Sequence, residues 1–306
     1  MAPVVVCCLD SSETIQGLIL GVIIWESGGL KGKFSSRTVV YGGPLIGENH
    51  KRTTLILKML VEELIHQVSH ESIFIQFRAS HDLSDYDQVL RENNFKWHPR
   101  LNLLINTNSE KEVWHGISSG RRRQIRKSLS GGAKIIQPER ESQVREFYDI
   151  LYDLYKHKVK KPLPDWSFFQ SFYRAIYEAN QAEPMGRYFL IEYDKKIVGG
   201  ILCPFFPGGT VFEWYVCGLD QECKEKGVYP SVLATWAAID FAVKNGYTKF
   251  DFMGVGIPGK QYGVRDFKMK FGGHQVNHGR YTRINKRWLY VIAELGYNFL
   301  SLVKKI

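Results

Sequence analysis

The stretch TVFEWYVCG (Thr210 to Gly218), followed shortly by YPSVLATWAAIDFAVKNGYTKFDFMG (Tyr229 to Gly254), decides the fold. The first piece is rich in β-branched and aromatic residues and reads as a strand. The second opens with Pro230 and Ser231, carries an apolar run long enough for a helix, and stops at Gly246. YTKFDFMG then reads as a closing strand. Upstream, YFLIEYD and IVGGILCPFF form a hairpin, so this half of the chain runs strand, strand, strand, helix, strand.

The N-terminal half has the same order. PVVVCCL and IQGLILGVII are a hairpin, RTVVYGGPLI is a third strand ending in a Gly-Gly-Pro turn, and SIFIQFR closes the set. Between the last two, KRTTLILKMLVEELIHQV repeats apolar residues at helical spacing: Leu57, Leu60, Val61, Leu64, Ile65 and Val68. Two copies of one element order imply an internally duplicated α/β (α+β) fold. It has mixed sheets flanked by helices, and order carries the claim more than residue identity. ESQVREFYDILYDLYKHK lies between the copies and presents Val144, Phe147, Ile150, Leu151 and Leu154 on one face. The expected boundaries are 1–136 and 137–283, with an amphipathic helix over 284–306 packing back on the first domain.

Totals restrict the function. With 44% hydrophobic and 24% charged residues in 306, the chain is an ordinary folded protein. Lys and Arg number 41 against 31 acids, a net charge of +10, so polyanionic partners are expected. The excess is concentrated in GRRRQIRKSLSGGAK (Gly120 to Lys134) and KHKVKK (Lys156 to Lys161). If the first is a helix, Trp114, Ile117, Ile125 and Leu129 make a narrow apolar stripe. Arg121, Arg122, Arg123, Arg126 and Lys127 are then left outward as a polyanion or tRNA contact, or as a merely solvated face. The cysteines at 7, 8, 203, 217 and 223 have no C-x-x-C spacing, which speaks against zinc or a disulfide framework. They read as buried apolar side chains in a cytoplasmic protein. The N-terminus has no signal-peptide pattern, and TIQGLILGVIIWE is too short to span a bilayer.

KEKGVYPSVL places a glycine before a helix N-terminus, where unsatisfied N–H groups and the helix dipole can hold phosphate. GNAT acetyltransferases grip coenzyme A there with R/Q-x-x-G-x-G/A. The matching positions are Lys224, Gly227 and Tyr229, and only the glycine is retained. GVRDFKMKFGG (Gly263 to Gly273) reads as a loop entering an edge strand, with Phe267 and Phe271 spaced for a helical turn or for one face of a strand. Lys268, between apolar neighbours, is either a snorkelling surface lysine or partly desolvated and aimed at developing negative charge. Asp251 caps the glycine loop, and Glu213 points to solvent or a salt bridge.

The ordered set PRLNLLINT, RRRQIRKSLSGGAKI, KKPLP, FEWYVCG, YPSVLATWAAIDFAVKNGYTKFDFMG and YGVRDFKMKFGG resembles the Fem family (FemABX) of peptidoglycan-bridge aminoacyltransferases. The resemblance implies two tandem GNAT-like domains. It also implies transfer of an amino acid from aminoacyl-tRNA to the stem-peptide amine of a peptidoglycan precursor, nucleotide- or lipid-linked, with no cofactor. It places Lys268, after Phe267, at the reaction centre as an electrostatic stabiliser, with Tyr215 from the third strand of domain two. Lys161, before Pro162, falls on the family's phosphate-binding arginine, and Tyr262, Arg265 and Asp251 are the further substrate contacts. Arg78 stands where the family has an aspartate, and the family's opening helix has no counterpart. Two alternatives stand beside this reading: an N-acyltransferase using acyl-CoA, and a catalytically inactive precursor- or RNA-binding protein. The C-terminal helix, with Trp288, Leu295 and Phe299 between basic residues, is expected either to pack on the first domain or to make a peripheral contact with the inner face of the membrane.

Overall fold

The fold is taken from a computed structural model that describes residues 1–25, 32, 35–47, 52–179, 184–206 and 208–293. The chain divides into two compact units, residues 1–100 with 277–306, and residues 101–276. The segment 101–136, expected in the first domain, therefore lies in the second. The physical reason is β-pairing: Asn102–Asn106 inserts between two strands of the second unit.

Unit 1 contains β1 (Ala2–Leu9), β2 (Ile15–Ile24), β3 (Arg37–Gly42), β4 (Leu45–Ile46), β5 (Phe74–Ala79), β6 (Lys96–His98) and β15 (Arg280–Ile284) in one sheet. The order is β1-β2-β3-β5-β15-β6, with β4 on β2. β3 and β5 are parallel, and the connection between them is α1 (Thr53–Val68). α1 buries Ile56, Leu57, Leu60, Val61, Leu64 and Val68 against Val6, Ile19, Val40, Ile75 and Phe77. Ile65, expected in this stripe, is only partly buried, and Ile56 takes its place. α2 (Asp87–Glu92) adds Val89 and Leu90 to the same core. α1 and α2 cover one face, and the strands alternate between that core and the other side; β1 and β5 both show this. Residues 287–293 are helical after β15, and Tyr290 sets its ring edge-on to Phe74, 5.8 Å between centroids. The rest of the expected C-terminal helix, including Leu295 and Phe299, lies outside the described residues. Residue 284 itself belongs to β15.

Unit 2 contains two four-stranded sheets. One has the order β12-β10-β9-β8, from Tyr215–Gly218, Lys196–Pro204, Gly186–Tyr193 and Lys134–Ile136. The other has the order β11-β13-β7-β14, from Thr210–Phe212, Lys249–Gly254, Asn102–Asn106 and His274–Val276. The helices are α3 (Glu110–Gly116), α4 (Ser119–Ser130), α5 (Glu141–Leu154), α6 (Trp166–Tyr177), α7 (Asp220–Cys223), α8 (Pro230–Lys244) and α9 (Gly263–Met269). β9 and β10 are buried almost continuously, because α8 covers one face of their sheet while α5 and α6 cover the other. α8 presents Ala234, Ala237, Ala238 and Ala242 to its core, and Gly218 lets Pro230 and Ser231 approach β12. A Cβ at Gly218 would stand 2.6 Å from the Ser231 nitrogen.

Two sequence expectations are corrected here. Gly263–Met269 is a helix, and the strand begins only at His274; Phe267 and Phe271 have the spacing of one helical turn, and a Tyr262 carbonyl accepts from Arg265 and Asp266 to start it. Cysteines 203, 217 and 223 are buried as expected, but Cys7 is exposed and Cys8 only partly covered, because they lie on an edge strand. Among the described residues no helix is long and apolar enough to cross a membrane, and no cluster could hold a metal ion.

Candidate active site

TVFEWYVCG, read as one strand, is two. β11 runs parallel to β13, and β12 pairs antiparallel with β10 in the other sheet. The transfer occurs between consecutive residues: Glu213 N–H donates to the Asp251 carbonyl (2.9 Å), and Trp214 N–H to the Leu202 carbonyl (3.1 Å). The Glu213 side chain therefore stands where the two sheets part. It is buried, and of the two expectations, solvent or a salt bridge, it meets the second: its Oε1 lies 2.9 Å from the Lys268 ammonium.

Lys268 comes from α9 and is itself 7% exposed. It donates a second hydrogen bond, to the Phe252 carbonyl. That carbonyl belongs to an irregular turn in β13, whose register shifts between Asp251 and Gly254 and whose Met253 has φ +60. A non-glycine residue in the left-handed region costs of order 1–3 kcal/mol unless the surroundings hold it. Here the Asp251 carboxylate does so, accepting the Met253 N–H at 2.7 Å and Asn102 Nδ2 at 3.2 Å. Asp251 thus caps the turn, as read from the sequence. Burial raises its pKa to about 6, against the pull of these hydrogen bonds and of Lys268.

Around this centre stand tyrosines. Burial, and after it the neighbouring Cys217, Tyr262 and Glu213, push Tyr155 up to about 12. The Cys203 thiol is pushed up by burial and by Glu213. Tyr215 lies among the rings of Tyr155, Phe168 and Phe169, at 5.1 to 6.3 Å. Phe267 faces the other way, into contact with Phe271 and with Arg121, whose guanidinium is 4.3 Å from its ring centre. Arg265 is spent on structure: it donates to the carbonyls of Val255, Ile257 and Lys260 and so holds the glycine loop closed. Lys161 is exposed in the turn after left-handed Lys160.

The basic helix is less outward than its sequence suggests. Arg121 is partly covered by Phe267 and Phe271, its Nε is buried without a partner, and Arg122 donates to the carbonyls of Trp114 and His115. A guanidinium is planar and weakly hydrated, so it packs on aromatic faces where an ammonium would stay in water. Arg123, Arg126 and Lys127 remain exposed, Arg126 lying over Trp114. Leu129, expected on the apolar stripe, is also exposed.

At the N-terminus of α8 the donors are already occupied. The Tyr229 N–H donates to Ser128 Oγ (2.9 Å) and the Ser231 N–H to Asp220 Oδ1 (3.1 Å). The Ser231 hydroxyl donates to the other Asp220 oxygen. Gly227, at φ +77, is overlain by Lys127: a Cβ there would meet Lys127 Cε at 2.4 Å. Ser231 is read in the sequence only as part of the helix opening, and Asp220 and Ser128 are not singled out there, because each sits in a different element. Glu213 stands out in the sequence as a lone acid inside an apolar strand, but nothing there names its partner.

Residues 119–269 match the acetyltransferase (GNAT) domain family. Among solved structures, FemX superimposes with a TM-score of 0.70 at 14% identity, over 95% of this chain and 90% of that one. L-PGS from Bacillus licheniformis follows with a TM-score of 0.56 at 12% identity, over 94% and 87%. A tandem GNAT protein from the clavulanic acid biosynthesis pathway has a TM-score of 0.55 at 8% identity, over 93% and 84%. No curated protein sequence matches the chain. The class defined by fold and domain match is the tandem GNAT acyltransferase fold. Within it, the chain has the Fem-like arrangement that the ordered sequence motifs resemble.

Proposed function

We propose that the protein is a Fem-type aminoacyltransferase, moving an amino acid from aminoacyl-tRNA to the stem-peptide amine of a peptidoglycan precursor. One observation carries the choice of donor. The helix end that grips the coenzyme A pyrophosphate in GNAT enzymes is filled here by the chain's own Asp220 carboxylate and Ser128 hydroxyl. A second anion would meet a like charge and satisfied donors, which disfavours acyl-CoA and favours a donor held elsewhere.

The reaction joins the amine nitrogen to the ester carbonyl carbon and breaks the carbon–oxygen bond to the tRNA ribose. The carbonyl oxygen becomes an oxyanion, which the Lys268 ammonium at the parting of the sheets stabilises. The amine must lose a proton and the ribose oxygen must gain one. The amine proton passes to water, since Oε2 of Glu213 is sealed inside the fold. The other Glu213 oxygen touches Lys268, which can hand a proton to the leaving oxygen. Exposed Arg123, Arg126 and Lys127 supply positive charge for the tRNA phosphates.

The experiment is to incubate the protein with charged tRNA and a stem pentapeptide, nucleotide-linked and lipid-linked in parallel, and weigh the acceptor by mass spectrometry. A residue's added mass that vanishes in Lys268→Ala, with wild-type melting in the presence of coenzyme A unchanged, is the expected result. No added mass, together with a coenzyme A-dependent rise in melting temperature, would overturn the proposal in favour of acyl-CoA chemistry.

A further inference from the structure

On the face of the unit 1 sheet opposite α1, one rung carries Tyr41, Arg78, Arg280 and His98 on β3, β5, β15 and β6. Arg78 and Arg280 are direct cross-strand partners, a position where like charges repel. Both are more than half covered, and no carboxylate lies within 4.0 Å of Arg78, Arg100 or Arg280 among the described residues. Burial and mutual repulsion show in the guanidiniums themselves. Arg280 is lowered to about 10 by burial and then by Arg78 and Arg100, and Arg78 is lowered by burial and then by Arg37 and Arg100.

Neutral groups organise the cluster without discharging it. Gln76 Oε1 accepts from Arg78 Nε at 2.9 Å and from Arg280 at 3.5 Å, while its amide donates to Thr282 Oγ1 at 3.1 Å. Arg78 also donates to the Tyr41 hydroxyl at 3.3 Å, and Arg100 donates to the Pro99 carbonyl at 3.2 Å. Each guanidinium has five N–H donors, so most have no protein acceptor. None of their nitrogens is sealed from solvent without a partner. The remaining donors therefore touch solvent, from which a small anion can reach them.

We infer that Arg78, Arg280 and Arg100 form a binding site in unit 1 for a phosphate or pyrophosphate group. Two guanidiniums on adjacent strands, with a third just past the end of β6, match a multiply charged tetrahedral oxyanion, which takes several forked donors at once. A single carboxylate would leave most of the repulsion in place. The site does not depend on the donor proposed above, because it is built wholly from unit 1 and serves any phosphorylated ligand.

The test is calorimetric titration of the full chain with inorganic phosphate, pyrophosphate and succinate at constant ionic strength, with melting temperatures measured in parallel. Pyrophosphate is expected to bind saturably at one site, with succinate at least tenfold weaker. Arg78→Met and Arg280→Met should each weaken pyrophosphate at least tenfold, while Lys244→Met, on the other unit and paired with Asp240, leaves it unchanged. Without anion, Arg78→Met should melt at or above the wild-type temperature, since it relieves repulsion; a purely structural arginine would melt lower. Should Arg78→Met not fold, Arg280→Gln and Arg100→Gln take its place. No saturable binding, unchanged affinity in the arginine variants, or equal binding of succinate would overturn the assignment.

Discussion

Replacing Lys268 by methionine keeps the volume of the side chain and removes its charge. The Glu213 carboxylate would lose its 2.9 Å ion pair and, with Oε2 already lacking a partner, stand buried with no cation against it. The two side chains are 9% and 2% exposed, so solvent cannot take over. Breaking one side of such a pair costs about 3–5 kcal/mol, and the abandoned Phe252 carbonyl adds roughly 1 kcal/mol. Removing both charges costs less, because no isolated charge is left. The double variant Glu213→Gln/Lys268→Met should therefore be more stable than the sum of its single changes by about 2–3 kcal/mol. The assay is urea unfolding of the four proteins followed by tryptophan fluorescence, since Trp214 adjoins Glu213. A Lys268→Met cost under about 1 kcal/mol, or strict additivity in the cycle, would refute the reasoning that the pair is desolvated.

Asp251, raised to about 6 from an ordinary 3.8, binds protons more tightly folded than unfolded. Its contribution to stability is thus full below about pH 4 and is lost as pH rises through 6, by roughly 2–3 kcal/mol. Asp251→Asn should remove that slope, so that the variant gains on wild type between pH 4 and 7; denaturant titrations at several pH values check it, and a constant difference would contradict it. Asp220→Ala takes the acceptor from the Ser231 N–H and hydroxyl, and should lower stability by about 1–2 kcal/mol in urea unfolding. Gly218→Ala puts a methyl 2.6 Å from the Ser231 nitrogen, and should destabilise by more than Asp220→Ala does. Leu60→Ala, in the core beneath α1, should cost about 2–5 kcal/mol, read from unit 1's own unfolding transition.

The helix over Pro230–Lys244 was legible because local signals agree: a proline at its first position, an apolar run and a glycine at φ +72 after it. The duplicated strand-and-helix order was legible for the same reason. The fate of TVFEWYVCG was not, since nothing in its alternation marks the point where hydrogen bonding passes from one sheet to the other. Lys268 could be placed at the candidate centre through its motif. Its partner Glu213 could not, because the two meet only once α9 and the end of β11 have been brought together by β13. Arg265 and Arg121 look like ligand contacts in one dimension. In three, Arg265 is bound to three carbonyls of its own loop, and Arg121 lies on two phenylalanine rings.

By itself the sequence determined the order of elements, the double GNAT-like pattern and the positive charge, because periodicity, caps and composition act over one or two turns of chain. Only the tertiary structure decided which charges are neutralised. Strand register pairs Arg78 with Arg280 and leaves them without an acid among the described residues, while the folding of α7 against α8 delivers Asp220 to the helix end. Such pairings depend on which distant segments become neighbours, and burial then magnifies every charge that is matched or left unmatched.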